Sequence, residues 1–176
     1  MDAVQHLLIR SGRLTDAAAL AAFAERSFRD AFAAQNRAVD LALYLRKAYG
    51  ERQQSAELLD PQVTTLVAEV DGILAGFAQL RASRPPECVR SSRPVELWRF
   101  YVDRAWHGRG VALGLMHAVL DAARARAADT LWLGVWEHNP RAQAFYRKCG
   151  FVDVGQQDFL LGTDPQTDRV MAQTVA

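Results

Sequence analysis

The sequence has little cysteine, no long apolar run and almost no net charge. Its 176 residues include 2 cysteines, Cys88 and Cys149, which lie far apart and form no CxxC pair. This spacing argues against a disulfide framework or a cysteine-rich zinc site. The 4 histidines show no HExxH or comparable ligand spacing, so we predict no metal.

Membrane and nucleic-acid partners are not indicated. No apolar run approaches the ~18 residues of a membrane span, and the short run at 7–9 is followed by Arg10, not by a signal-peptide cleavage site. The formal net charge is +1, which lacks the basic footprint of proteins that bind nucleic acid through phosphates. We therefore expect a cytoplasmic protein that binds neither a membrane nor nucleic acid.

Length and patterning predict one folded domain over residues 1–176. Half of the residues are hydrophobic and 23% are charged, as in ordinary globular proteins. The order β-α-α-β-β-β-α-β-α-β predicts a mixed sheet with helices on both faces. The predicted strands cover 6–10, 63–70, 73–78, 95–102, 131–136 and the chain from 151 onward, and the predicted helices cover the chain after Thr15-Asp16, 39–48, 110–128 and 140–150. Asp71-Gly72 predicts a type I′ turn between the second and third strands.

Charge is less even along the chain than in total. The segment 81–109 contains seven arginines against Glu87, Glu96 and Asp103, a local excess of four positive charges. Such a segment is more often a solvated arginine-rich loop than a binding site. An anion bound there is the alternative.

A glycine-rich turn connects the strand at 95–102 to the long helix at 110–128. Glycines allow backbone N–H groups to approach a phosphate, and the helix N-terminus adds partial positive charge. Val111-Ala112 replaces the Lys-Ser/Thr pair of a Walker A loop, and Leu113 replaces the third glycine of a dinucleotide fingerprint. The turn therefore predicts an anion site of another kind.

Two motifs in this region carry a family resemblance. His107-Gly108-Arg109-Gly110-Val111-Ala112 resembles the Q/R-x-x-G-x-G/A pyrophosphate loop of GNAT-family N-acetyltransferases, although His107 replaces Gln or Arg and Arg104 stands where proline is frequent. Residues 139–151 match N-x-x-A-x-x-F-Y-x-x-x-G-F of the same family. More narrowly, 27–36, 132–151 and 166–168 resemble bacterial spermidine/spermine N-acetyltransferases of the PaiA type.

The resemblance implies an α/β GNAT fold, a mixed and mostly antiparallel central sheet of six to seven strands with helices on both faces. It also implies acetyl-CoA as the acyl donor. The pantetheine arm would lie against Phe100, Tyr101 and Val102, with Asn139 and Tyr146 nearby, and the pyrophosphate on His107, Gly108, Arg109, Gly110, Val111 and Ala112. Arg104 and Arg109 are the nearest candidates for the 3′-phosphate. Asn139 alternatively, or in addition, caps its helix.

Catalytic roles follow from the same resemblance. Glu96 would remove the proton of the acceptor amine, directly or through water; the alternative is that it pairs with an arginine such as Arg99. Tyr146 would protonate the departing thiolate, or it packs the last helix against the sheet. The backbone N–H of Val102 would meet the oxyanion if its strand splays or bulges there.

The acceptor site is predicted from the first two helices, 27–45. Phe28, Asp30, Phe32 and Glu96 are its candidate residues, and Glu25, Asp30 and Asp40 either receive cationic amines or lie on solvated helix faces. We expect direct acetyl transfer in a ternary complex to a small-molecule primary amine, a polyamine being the narrower prediction. A protein or peptide N-acetyltransferase and a non-catalytic acyl-CoA sensor are the alternatives. An edge strand near 159–161 offers a surface for pairing with a second subunit, which leaves a monomer and a homodimer both open.

Overall fold

A computed structural model describes residues 6–175 of the chain. Residues 1–5 and 176 of the predicted domain lie outside this range. The described elements are β1 (Leu7–Ser11), α1 (Ala17–Phe32), α2 (Ala38–Ala48), α3 (Glu51–Leu59), β2 (Val63–Val70), β3 (Ile73–Arg81), β4 (Pro94–Val102), α4 (Val111–Ala125), β5 (Thr130–Trp136), α5 (Pro140–Lys148), β6 (Val152–Leu161) and β7 (Asp164–Thr174).

All of these strands form one sheet in the order β1-β2-β3-β4-β5-β7-β6. Neighbouring strands are antiparallel except β4 and β5, which run parallel. The predicted mixed, mostly antiparallel sheet is therefore confirmed, with seven strands. The β2–β3 hairpin is also confirmed, because Asp71 and Gly72 both have positive φ (51° and 80°), as a type I′ turn requires.

Helices cover both faces of the sheet, as predicted. On one face, Leu115 of α4 packs in a core with Leu131 of β5 and Ala78 of β3. On the other face, Phe23 of α1 packs with Phe77 of β3. Successive side chains of a strand point to opposite faces, so the neighbours Phe77 and Ala78 contribute to different cores.

Helix α3 is absent from the predicted order. Its buried residues include Gln54 and Glu57 rather than an apolar stripe, so hydrophobic periodicity gives no signal for it. The carboxylate of Glu57 forms a buried ion pair with Arg99 of β4. A tertiary contact therefore occupies the side of α3 that apolar residues would normally cover.

The predicted final strand is in fact two strands, β6 and β7. Gly162 lies in the left-handed region (φ 61°) at the turn between them, and its neighbour Thr163 donates hydrogen bonds to Asp40 of α2 from its backbone N (2.8 Å) and its hydroxyl (2.7 Å). The pair is 123 residues apart in the sequence. β6, which contains the 159–161 segment, lies at the sheet edge, and the choice between a monomer and a homodimer stays open.

The separation of β4 and β5 positions the candidate site. These strands pair only where 94–96 lies beside 130–132, although each strand continues beyond that point. The splay predicted for β4 is present, because β4 separates from β5 before it reaches Val102. The bulge in β4 lies instead at Trp98, opposite Gln79 and Leu80. The result is a V-shaped opening between the two strands.

Within residues 6–175, none of the helices combines the length and apolar character needed to cross a membrane.

Candidate active site

A cavity of about 670 Å³ opens where β4 and β5 separate, and it extends beneath α1 and α2. Most of the predicted site residues line it: Phe28, Asp30, Phe32, Glu96, Phe100, Tyr101, Val102, His107, Gly108, Ala112, Asn139 and Tyr146. Arg109, Gly110 and Val111 are not among the lining residues. The fold therefore brings the two sequence motifs and the predicted acceptor segment to one cavity.

The glycine-rich loop enters α4 through two left-handed glycines. Gly108 and Gly110 have φ of 75° and 83°, and a Cβ at either position would meet no atom within 4 Å. Backbone conformation, and not lack of space, therefore requires glycine at both positions. Inside α4 the N–H of Gly114 donates to the carbonyl of Gly110 (2.9 Å), so the preceding N–H groups of the first turn have no partner within the helix.

Two of the predicted phosphate-binding N–H groups already have partners in the turn. His107 N donates to the carbonyl of Arg104 (3.2 Å), and Arg109 N donates to that of Trp106 (3.3 Å). The predicted anion site is accordingly narrower than the whole loop. The backbone groups that remain candidates are those of Gly108, Gly110, Val111 and Ala112.

The side chain of His107 also has partners that the sequence did not predict. Its Nε2 lies 2.9 Å from the carbonyl of Val102, and its Nδ1 lies 2.6 Å from Nη2 of Arg141. Arginine only donates hydrogen bonds, so Nδ1 accepts and Nε2 carries the proton that Val102 O accepts. In this arrangement the His107 ring has no free N–H for a phosphate, and Arg141, on α5, joins Arg104 as a cation at this end of the cavity.

The backbone N–H of Val102 points into the opening between β4 and β5. Asp103 N donates to Ala75 O of β3 (2.9 Å), and N–H groups of successive strand residues point to opposite sides. Val102 N–H therefore faces away from β3, on the side where β5 has separated. This orientation suits the predicted oxyanion donor.

Glu96 is buried, and it lines the cavity with its carboxylate held by Arg81. Arg81 donates from Nε (2.6 Å) and Nη2 (3.3 Å). The arginine that the sequence suggested, Arg99, instead pairs with Glu57 and donates to Oε1 of Gln79 (2.7 Å). Two of the seven arginines of segment 81–109 are thus paired with carboxylates.

Tyr146 lies partly buried between aromatic neighbours. Its ring centroid is 6.3 Å from that of Phe100 and 5.7 Å from that of Phe151, which is the packing role considered above. Burial raises the pKa of the Tyr146 phenol above its usual value, so the group is protonated at neutral pH. Its hydroxyl forms no side-chain hydrogen bond within the described residues and remains available as a donor.

Asn139 begins α5. Its Oδ1 accepts a hydrogen bond from the backbone N of Ala142 (3.1 Å), and Pro140 occupies the first turn. Asn139 is therefore the helix N-cap that was one of its two predicted roles.

Aromatic rings line the part of the cavity beneath α1 and α2. The ring centroid of Phe28 is 4.6 Å from that of Tyr44, and Tyr44 is 5.4 Å from Phe159 of β6. Phe32 packs 5.4 Å from Trp136 at the end of β5. These rings form an aromatic wall, defined here as Phe28, Phe32, Tyr44, Trp136 and Phe159.

The three acidic residues predicted near the acceptor differ in availability. Glu25 accepts from Arg29 (2.9 Å), and Asp40 is buried and binds Arg37 and the β6–β7 turn. Asp40 is thus a structural residue. It neither faces the acceptor nor lies on a solvated helix face, which were the two roles considered for it above. Asp30 alone of the three lines the cavity.

A carboxylate that the sequence analysis did not select also faces this space. Asp168 of β7 lines the cavity, and its cross-strand partners are Trp136 and Gln157. Burial, with a smaller contribution from the charge of Glu137, raises the pKa of Asp168 to about 6. Within residues 6–175 no side chain donates a hydrogen bond to it.

Residues 21–151 match the family model described as acetyltransferase (GNAT) family. That match covers more than half of the chain. The chain belongs to the GNAT acetyltransferase family. It is accordingly an acyltransferase, and the acyl donor implied by the pyrophosphate loop is acetyl-CoA.

The relatives of this GNAT protein differ in whether their names specify a substrate. An uncharacterized N-acetyltransferase of Mycobacterium tuberculosis is 36% identical over 161 residues, covering 91% of this chain and 98% of the relative. A spermine/spermidine N(1)-acetyltransferase of Bacillus subtilis is 27% identical over 92 residues, covering 51% and 59%. The PaiA N-acetyltransferase of Thermoplasma acidophilum, solved in complex with coenzyme A, has a TM-score of 0.78 at 20% identity, covering 96% and 99%. The last likeness shows the fold alone.

Sequence reasoning missed several residues that line this GNAT cavity, Arg141, Trp136 and Asp168 among them. Arg141 was inside a recognised motif but at one of its variable positions. Trp136 and Asp168 lie in segments that carry the family resemblance, but neither was assigned a role, because their proximity depends on the pairing of β5 with β7. A pairing of distant strands is not visible in the local pattern.

Proposed function

We propose that this GNAT protein transfers the acetyl group of acetyl-CoA to a primary amine of a small cationic molecule, by direct attack in a ternary complex. One observation carries the proposal: the loop before α4, the N–H of Val102 and the hydroxyl of Tyr146 border the same cavity as the aromatic wall. Donor and acceptor can therefore bind side by side.

The donor end of the cavity is rich in hydrogen-bond donors. The N–H groups of Gly108 and Ala112 would hold the pyrophosphate at the N-terminus of α4. Arg104 and Arg141 line the same end and supply positive charge for phosphates. Phe100 and Val102 offer the exposed edge of β4 to the pantetheine arm.

Proton transfers would use two residues of the cavity. An acceptor amine with a pKa of about 10.4, like that of lysine, is protonated at neutral pH and must lose a proton before it attacks. Glu96 would receive that proton through water, with Arg81 fixing the orientation of the carboxylate. Tyr146, which is protonated at neutral pH, would donate to the departing thiolate, and Val102 N–H would stabilise the oxyanion.

The acceptor class is supported by charge and shape. A wall of aromatic rings binds methylene groups and cations, and Asp30 and Asp168 add negative charge at that end. A polyamine, the acceptor in the name of the Bacillus subtilis relative, is our first candidate. We also infer a cytoplasmic location, which both free cysteines fit.

The test is release of free thiol from acetyl-CoA with a panel of amines: spermidine, spermine, small monoamines, aminoglycosides and peptides with free N-termini. We expect turnover with polyamines or small amines. Turnover with peptides alone would point to a protein acetyltransferase. Saturable acetyl-CoA binding without turnover on any amine would point to a sensor.

Tyr146→Phe tests the assigned acid. The variant keeps the ring packing and loses the hydroxyl, so kcat should fall about 10²- to 10⁴-fold while acetyl-CoA affinity, measured by calorimetry, stays at the wild-type value. An unchanged kcat would leave Tyr146 with the packing role only.

A further inference from the structure

The carboxylate of Asp168 is partly buried in the cavity wall and has no side-chain partner among residues 6–175. Glu96 is bound by Arg81, Asp103 by Arg26, and Asp30 is exposed to solvent, where an ion pair contributes little. Asp168 is largely removed from water, and within the described residues it accepts no side-chain hydrogen bond. A buried carboxylate is costly unless a cation or donor meets it.

The carboxylate of Asp168 borders the open space of the cavity, together with Gln157 and Gly134. A Cβ at Gly134 of β5 would lie 2.9 Å from Oδ2 of Asp168 and 2.6 Å from Nε2 of Gln157. Any side chain at position 134 would therefore collide with both polar groups. Gly134 thus leaves room for the side chains of Gln157 and Asp168 to lie over β5, where they form a polar part of the cavity wall.

Asp168 lies away from the reacting groups on β4. It belongs to β7, and β5 separates β7 from β4 in the sheet. Two strand spacings amount to about 10 Å, and β4 and β5 are further parted beyond their short pairing. Asp168 is therefore too distant to take the proton of an amine that attacks beside Val102.

We propose that Asp168 binds a second cationic group of the acceptor, so that the enzyme selects diamines or polyamines over monoamines. The cavity admits an ammonium group to the carboxylate of Asp168. The aromatic wall contacts the methylene chain that connects this ammonium to the reacting amine. This inference rests on the proposed function and adds to it the residue that decides acceptor specificity.

The test combines a change of substrate charge with a change of residue charge. The kcat/KM of α,ω-diamines is compared with that of monoalkylamines of equal chain length, for the wild type and for Asp168→Asn. We expect the wild type to prefer the diamine by about 10- to 100-fold, the range for a charged hydrogen bond. In Asp168→Asn the preference should fall close to one, with monoamine turnover retained.

Two further variants separate charge from structure. Asp158→Asn is the matched control, because Asp158 precedes Phe159 on β6, points to the other face of the sheet and is exposed; it should keep the wild-type preference. Gly134→Ala should reduce the preference by displacing the Asp168 carboxylate. Loss of an unpaired, partly buried charge should leave Asp168→Asn at least as heat-stable as the wild type at pH 7.

The pH dependence of the diamine preference distinguishes a binding role of Asp168 from a purely structural one. Asp168 has a raised pKa of about 6, so it is charged above that pH and neutral below it. The diamine preference should therefore decline as the pH falls through about 6, and Asp168→Asn should lack this step. Three other titratable groups lie nearby: Glu137 and Tyr44 face Asp168, and His138 adjoins Glu137. If the diamine preference of Asp168→Asn still declines with pH, the decline belongs to one of those groups. That result would overturn the assignment of the pH dependence to Asp168.

Failure of this inference and failure of the proposed function have different signatures. Turnover of amines with equal preference for monoamines and diamines, or a preference unchanged in Asp168→Asn, would refute the role of Asp168 and leave acetyl transfer intact. Absence of turnover with every amine would refute the proposed function. In that case, calorimetry of a diamine and a monoamine on the CoA-saturated protein decides: equal affinities in the wild type would refute the role of Asp168 as well.

Discussion

At the scale of single residues, the environment of His107 changes the role expected for it. A histidine in a phosphate-binding loop is an obvious hydrogen-bond donor to phosphate. Here its ring connects the carbonyl of Val102 to the guanidinium of Arg141. The imidazole of His107 therefore orients Arg141, whose guanidinium supplies a fixed positive charge at this end of the cavity.

This arrangement predicts a measurable role for Arg141. Arg141→Gln should raise the Kd of coenzyme A by about 10-fold or more, because one charged hydrogen bond contributes about 1.5–3 kcal/mol. Arg147→Gln, on the same helix but outside the cavity, is the matched control. Calorimetry with dephospho-coenzyme A distinguishes the two phosphate positions, since a loss that disappears with this ligand assigns Arg141 to the 3′-phosphate. Equal affinities of Arg141→Gln and the wild type for coenzyme A would contradict the prediction.

At the scale of elements, the turn into α4 depends on backbone conformation. Its sequence could be assigned to an anion site because glycine spacing and the following helix are local signals. The same holds for the β2–β3 hairpin and the cap of α5. Helix α3 and the β6–β7 turn escaped prediction because the contacts that stabilise them, Glu57 with Arg99 and Thr163 with Asp40, join residues far apart in the chain.

A pair of glycine substitutions tests the conformational argument. Gly110→Ala should lower the free energy of unfolding by about 1–2 kcal/mol, the cost of placing an L-residue in the left-handed region. Gly50→Ala is the control, because a Cβ there also meets no atom within 4 Å and its φ of 177° is extended. Urea denaturation measures both variants. Equal stabilities for the two would mean that the turn relaxes without cost.

At the scale of the whole molecule, one buried ion pair joins the helical layer to the sheet beside the cavity. Arg99 extends from β4 to Glu57 on α3, and both side chains are only 5% exposed. Arg99 also stacks over Trp98 and Tyr49, at 3.9 and 4.9 Å from their ring centroids. These contacts fix the floor of the cavity relative to α3.

Breaking this pair should destabilise the entire fold. Glu57→Gln leaves the Arg99 charge buried without its counter-ion, which costs about 3–5 kcal/mol. The equivalent change at the more exposed pair with Arg169, Asp153→Asn, should cost about 1 kcal/mol or less. Chemical denaturation gives both values. A small loss for Glu57→Gln would show that water or neighbouring oxygens replace the carboxylate.

The sequence by itself determined the fold class, the two motifs, the hairpin and most of the residues around the cavity, because each rests on local spacing or periodicity. Only the tertiary structure decided which charged groups are free. It paired Glu96 with Arg81, placed Asp40 in a turn contact and left Asp168 unpaired beside Gly134. Hydrogen-bond partners and burial depend on distant strands and helices meeting, and no local pattern encodes those meetings.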